Sequence, residues 1–94
     1  MERRTGRKFR RHLGESFNEG ARQLWLRMLE SEMTIEDVTR AIGASRGPVS
    51  RWLYGDGRPG TMYAARLEEE FGIAVNLWHS EPVEAFAPPA AMAA

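Results

Sequence analysis

Residues 34–55, TIEDVTRAIGASRGPVSRWLYG, carry two helix start signals and two stop signals in close succession. Thr34, followed by Asp37, opens the first helix, because a Thr hydroxyl accepts a hydrogen bond from a free first-turn amide. Gly43 closes it, since glycine takes the left-handed conformation after a helix without a Cβ penalty. Ser45 opens the second, with its hydroxyl in reach of the Gly47 amide. Pro48 then falls at the third helical position, where its missing N–H is not needed. Gly55 closes that helix. This punctuation predicts two short helices joined across Gly-Ala-Ser.

Apolar spacing assigns a buried side to each. At ~100° per residue, Ile35, Val38, Ala41 and Ile42 share one face of the first helix, while Glu36, Asp37 and Arg40 point away. In the second, Pro48, Val49, Trp52 and Leu53 form the core side. Arg46, Gly47, Ser50, Arg51 and Tyr54 lie on an opposite arc of about 140°. Upstream, Ser16 and Glu19 have capping-box spacing and predict a helix from near Phe17 to about Ser31. Its buried stripe is Ala21, Leu24, Trp25, Met28 and Leu29, and Gly20 weakens its first turn. Downstream, residues 61–71 place Ala64, Leu67 and Phe71 inward and Arg66, Glu68 and Glu69 outward, with Gly72 as the stop. Ile73, Val75, Leu77 and Trp78 predict a short fifth helical turn that closes the core. The fold class expected is all-α, five helices joined by short turns.

Composition divides the chain into three regions. Residues 1–15 form a basic N-terminal arm, 16–80 hold all the regular patterning, and 81–94 read as an Ala/Pro-rich disordered tail. Formal charge is balanced, but residues 1–11 hold six bases (Arg3, Arg4, Arg7, Lys8, Arg10, Arg11) against Glu2 alone. Seven bases and twelve acids are left for the rest, so a basic arm sits on an acidic body, which points to a polyanionic partner for the arm. Cysteine is absent, which excludes disulfides and thiolate chemistry and fits a reducing compartment. No apolar run has the ~18 residues a membrane span needs, so a cytoplasmic chain without membrane contact is expected. His12 and His79 lie at opposite ends of the patterned region, with no carboxylate pair or phosphate loop beside them. Consecutive Glu68, Glu69 and Glu70 point in different directions on a helix and read as a solvated face. The chain is therefore expected not to be an enzyme, and to need no metal, cofactor or small-molecule ligand.

The stretch TIEDVTRAIGASRGPVSRWLYGDGRPG resembles the central signature of the Cro and lambda-repressor-like family, also called XRE-like. The matching positions are Thr34, Val38, Thr39, Ile42, Gly43, Ala44, Ser45, Val49, Ser50, Trp52, Gly55 and Pro59, and the likeness extends over residues 17–79. Ile35 stands where many members carry Gln, and Thr39 where alanine is usual. The resemblance implies a compact five-helix domain with a helix-turn-helix, whose 45–54 helix lies in the major groove of double-stranded DNA. It places Arg46, Gly47, Ser50 and Arg51 at the base-reading positions, with the two arginines able to bond guanine bidentately. Thr34 at the start of the preceding helix, Arg40, Ser45, Tyr54 and Arg58 would meet phosphates. The implied role is a transcriptional regulator of repressor type, bacterial or phage- or plasmid-encoded and nucleoid-associated. Relatives commonly bind palindromes as dimers, which leaves open a homodimer here. Charge alone adds the six arm bases as DNA contacts.

Two other classes fit parts of the sequence. RRTGRKFRR is similar to arginine-rich peptides that fold on RNA, and such a segment would act without the helix pair. An antitoxin or adaptor would use the same fold for protein interaction and tolerate loss of charge at Arg46 and Arg51.

Overall fold

The computed structural model describes residues 13–89. Its elements are α1 (Glu19–Ser31), α2 (Ile35–Ile42), α3 (Arg46–Tyr54) and α4 (Thr61–Phe71), followed by a 3-10 helix, Val75–His79. The described residues are all-helical, with four α-helices and no strand among them. None of the described helices is long and apolar enough to cross a membrane.

α1 packs on α3 and on the 3-10 helix, α2 packs on α3 and α4, and α4 closes against the 3-10 helix. Ala21, Leu24, Trp25 and Met28 of α1 are fully buried at the centre, joined by Val38, Val49, Leu53, Leu67, Ile73 and Trp78. The Trp25 indole N–H donates to the Leu53 carbonyl at 2.8 Å, which ties the middle of α1 to the last turn of α3. Its ring meets Tyr54 edge-on, with centroids 5.6 Å apart.

Local signals set the helix ends, with some reassignment. α1 begins two residues later than the Ser16–Glu19 spacing suggests. Asn18 is its N-cap and accepts from the Ala21 amide at 2.8 Å. Ser16 is taken elsewhere, its amide donating to the Gly55 carbonyl at 3.0 Å. Glu19 does not cap either: its carboxylate accepts from Arg22 Nε and Nη2, both at 2.8 Å. At the other end, Glu32 adopts φ 55°, the left-handed stop usually given to glycine. Leu29, assigned to the buried stripe, is 41% exposed. It lies about 90° from the centre of the stripe made by its four fully buried companions, at the edge rather than on the face.

α2 opens with the capping box at Thr34. The Asp37 amide donates to Thr34 Oγ1 at 3.2 Å, and Asp37 Oδ2 accepts from the Thr34 amide at 2.9 Å. Gly43, Gly55 and Gly72 all take the left-handed conformation after α2, α3 and α4. Arg27 reaches from α1 to the end of α4, its Nε donating to the Phe71 carbonyl at 2.8 Å. Gly20 has a second role beyond its low helix propensity. A Cβ there would lie 2.6 Å from Trp78 Cε3, so the bare backbone is what lets the indole lie flat on α1. Trp78 is fully buried, and its Nε1 has no hydrogen-bond partner among the described residues.

The packed body runs past both boundaries drawn from composition. Leu13 packs against the core, and the Gly14 amide donates to the Tyr54 carbonyl at 2.7 Å. At the other end, residues 81–86 run along α1. The Val83 amide donates to Glu19 Oε1 at 2.9 Å, Arg22 Nη1 donates to Glu84 Oε2 at 3.3 Å, and Phe86 stacks on Phe17. Residues 90–94 of the expected tail, and residues 1–12, lie outside the described residues.

Candidate nucleic-acid interface

The outward face of α3 is short and polar. Val49, Trp52 and Leu53 hold the helix from behind, all buried, and Pro48 is half-buried beside them. Arg46, Gly47 and Arg51 are exposed, and Ser50 is half-exposed. A Cβ on Gly47 would meet only Arg51 Nη1, at 3.7 Å, so the Arg51 guanidinium bends back across the bare backbone of Gly47. Ser45 occupies the N-cap position but makes no side-chain cap bond, against the bond to Gly47 that its spacing allowed. Its backbone geometry suffices to start the helix, and Pro48 leaves one fewer amide to satisfy.

α2 contributes its first turn. Glu36 accepts from Arg46 Nη1 at 3.4 Å, with side chains 59% and 61% exposed. Thr34 is exposed, and its hydroxyl oxygen is engaged in the capping box. Arg40 Nη2 pairs with Asp37 Oδ1 at 2.7 Å. The Thr34 amide and hydroxyl, with Arg40 adding less, hold the Asp37 carboxyl below its ordinary range. The α2–α3 turn is tight: the amides of Gly43 and Ala44 both donate to the Thr39 carbonyl, at 2.8 and 3.1 Å. Trp52 and Tyr63, with centroids 5.6 Å apart, fix α3 against α4 behind it.

One expected member is not on this face. Tyr54, grouped with Arg46 and Arg51 by angle, is 3% exposed and belongs to the core. Angle alone places it outward, but Trp25 meets its ring edge-on, and the amides of Gly14 and Ser16 bond the Tyr54 and Gly55 carbonyls at the end of α3. The exposed face therefore spans the first two turns only. Arg58 is exposed in the loop that follows, and lines an open groove of about 290 Å³ with Glu15, Ser16, Phe17, His79 and Glu81. The arm bases Arg3, Arg4, Arg7, Lys8, Arg10 and Arg11 fall outside the described residues.

Comparison with known protein families, with characterised proteins and with solved structures finds no match to this chain. The site stands on its own geometry.

Glu36 and Phe86 were not among the residues singled out from sequence. Glu36 read as a solvent-facing acid on α2, and only the packing of α2 on α3 brings it to Arg46. Phe86 sits between Ala85 and Ala87, ahead of Pro88-Pro89, in an alanine-rich stretch with no helical period. A lone large aromatic in such a stretch was the available signal.

Proposed function

We propose that this chain is a sequence-specific double-stranded DNA-binding protein, acting as a transcriptional regulator of repressor type in the cytoplasm. In this reading, α2, the turn at Gly43 and α3 form a helix-turn-helix, and the four helices with the 3-10 turn are the five-helix, lambda-repressor-like core. α3 enters the major groove. The observation that carries the reading is the exposed Arg46–Gly47–Arg51 face on a helix whose other side is buried. Arginine bonds guanine O6 and N7 bidentately, and Gly47 and Ser50 leave room for the helix backbone to approach the base edges.

Arg46 must exchange Glu36 for a base. An exposed ion pair is worth about 0–1 kcal/mol. A bidentate contact discriminates by about 1–3 kcal/mol. The base therefore wins, and Glu36 offsets a small part of the gain by giving Arg46 a partner where a site offers none. Thr34, Arg40, Ser45 and Arg58 are proposed as phosphate contacts; Tyr54 is left out because its ring is enclosed. A homodimer on a palindromic site is the proposed assembly.

The deciding experiment is selection of bound duplexes from a random pool, with the full chain and with the Arg46→Ala, Arg51→Ala double variant. A motif enriched by the full chain and lost in the variant supports the reading, and its symmetry reports dimerisation. Enrichment that survives the double variant moves the reading surface off α3. No enrichment at all by the full chain removes DNA reading as the function.

A further inference from the structure

From the packing of the two chain ends, we propose that Phe86 is a positioning residue that clamps the root of the basic N-terminal segment against the C-terminal end of α3. Three layers meet there. The outermost is the 81–86 strap, the middle is the turn at residues 14–17, and the innermost is the Tyr54–Gly55 end of α3.

Each layer is joined to the next by a specific contact. The Phe86 ring lies parallel to Phe17, with centroids 6.0 Å apart and 10° between planes, and reaches Trp25 at 6.1 Å. Phe17 lies directly on Gly55, where a Cβ would come within 2.6 Å of the Phe17 nitrogen. The Gly14 and Ser16 amides donate to the Tyr54 and Gly55 carbonyls at 2.7 and 3.0 Å. Those two backbone bonds lie in a short non-helical turn at the edge of the packed body, the kind of segment that opens locally unless something covers it. Phe86 is the cover. The strap is itself anchored by Val83 on Glu19 and by Glu84 on Arg22, so Phe86 is held over Phe17 from α1.

The consequence for function rests on the DNA reading above. Residues 1–11, with their six bases, precede in sequence the Gly14 amide that is bonded to the end of α3. Arg58 lines the same groove as Glu15, Ser16 and Phe17. A fixed root delivers the basic segment beside α3 and Arg58, which raises its effective concentration at the duplex that α3 engages. A frayed root spreads it over a larger volume.

The test uses the full chain carrying Phe86→Ala, with Phe86→Tyr as the conservative variant. In the free protein, amide exchange at Gly14 and Ser16 is expected to quicken by about tenfold or more in Phe86→Ala, while Val38 and Leu53 amides keep their protection and Phe86→Tyr restores the slow rates. Unchanged exchange at Gly14 and Ser16 overturns the clamp. So does an equal loss across α2 and α3, which would mean that Phe86 only stabilises the fold. On a selected duplex, Phe86→Ala is expected to weaken binding and flatten the salt dependence. Replacing the six bases by glutamine in the same chain should then cost far less than it does in the wild type. Equal cost in both backgrounds overturns the coupling to the arm. A chain that binds no duplex removes the DNA reading alone, because exchange in the free protein decides the clamp.

Discussion

Gly20 and Glu32 show how single backbone positions govern α1, and each leads to a measurable effect. By helix propensity Gly20 should be improved by alanine, yet the added Cβ would fall among the ring atoms of Trp78. Gly20→Ala is expected to destabilise the protein by about 1–3 kcal/mol, seen as a lower urea midpoint, because the indole cannot retreat from a packed core. Glu32 is the converse. It is exposed and holds a left-handed conformation that costs a side chain energy and glycine little. Glu32→Gly is expected to stabilise the fold by about 0.5–1 kcal/mol in the same urea titration, since the strain removed exceeds the added freedom of the unfolded chain.

At the level of elements, α3 divides into an outward first half and an enclosed last turn. Arg46→Ala and Arg51→Ala should each cost about 1–3 kcal/mol on a selected duplex and relax preference at one base pair. Quantitative binding to single-base variants of that duplex measures this, and a uniform loss across all of them would make the arginine a phosphate contact. The extent of α2, α3 and α4 was legible because Thr34, Gly43, Gly55 and Gly72 act within one turn of where they stand. The start of α1 was less so. Ser16 and Asn18 are both good caps, and the Ser16 amide is drawn away by Gly55, a partner distant in sequence. The outward side of Arg46, Gly47 and Arg51 was legible from angle, and Tyr54 was not. A helical projection gives direction around the axis but knows nothing of what covers each turn, and residues 13–17 cover only the last. Phe86 could not be placed by periodicity for a related reason: a strap docks by isolated contacts, and the lone aromatic was its one trace in the sequence.

Across the whole molecule, a buried carboxylate joins α1 to the strap. Glu19 is 3% exposed and accepts from Arg22, Gln23 and the Val83 amide. Arg22 above all holds its carboxyl down at about 2 from an ordinary 4.5, against the opposing effect of burial, with Gln23 and Val83 adding to the pull. A folded-state value below the unfolded one gives stability that is present above about 4.5 and lost as pH falls toward about 2. Glu19→Gln should therefore be less stable than the wild type near neutral pH, with the gap closing across that window as the wild-type carboxyl takes up its proton. Thermal melts at a series of pH values measure this, and a gap that persists to pH 2 would place the stabilisation elsewhere. The stacking of Phe17 on Phe86 also brings an early and a late stretch of the packed body side by side. Such a body has no privileged beginning. Joining residue 89 to residue 13 through a short flexible link and reopening the backbone at Gly57, in the 56–60 loop, should give a circular permutant with the same helical circular dichroism. The order of the helices along the chain would then be a matter of ancestry, and their arrangement in space a matter of packing.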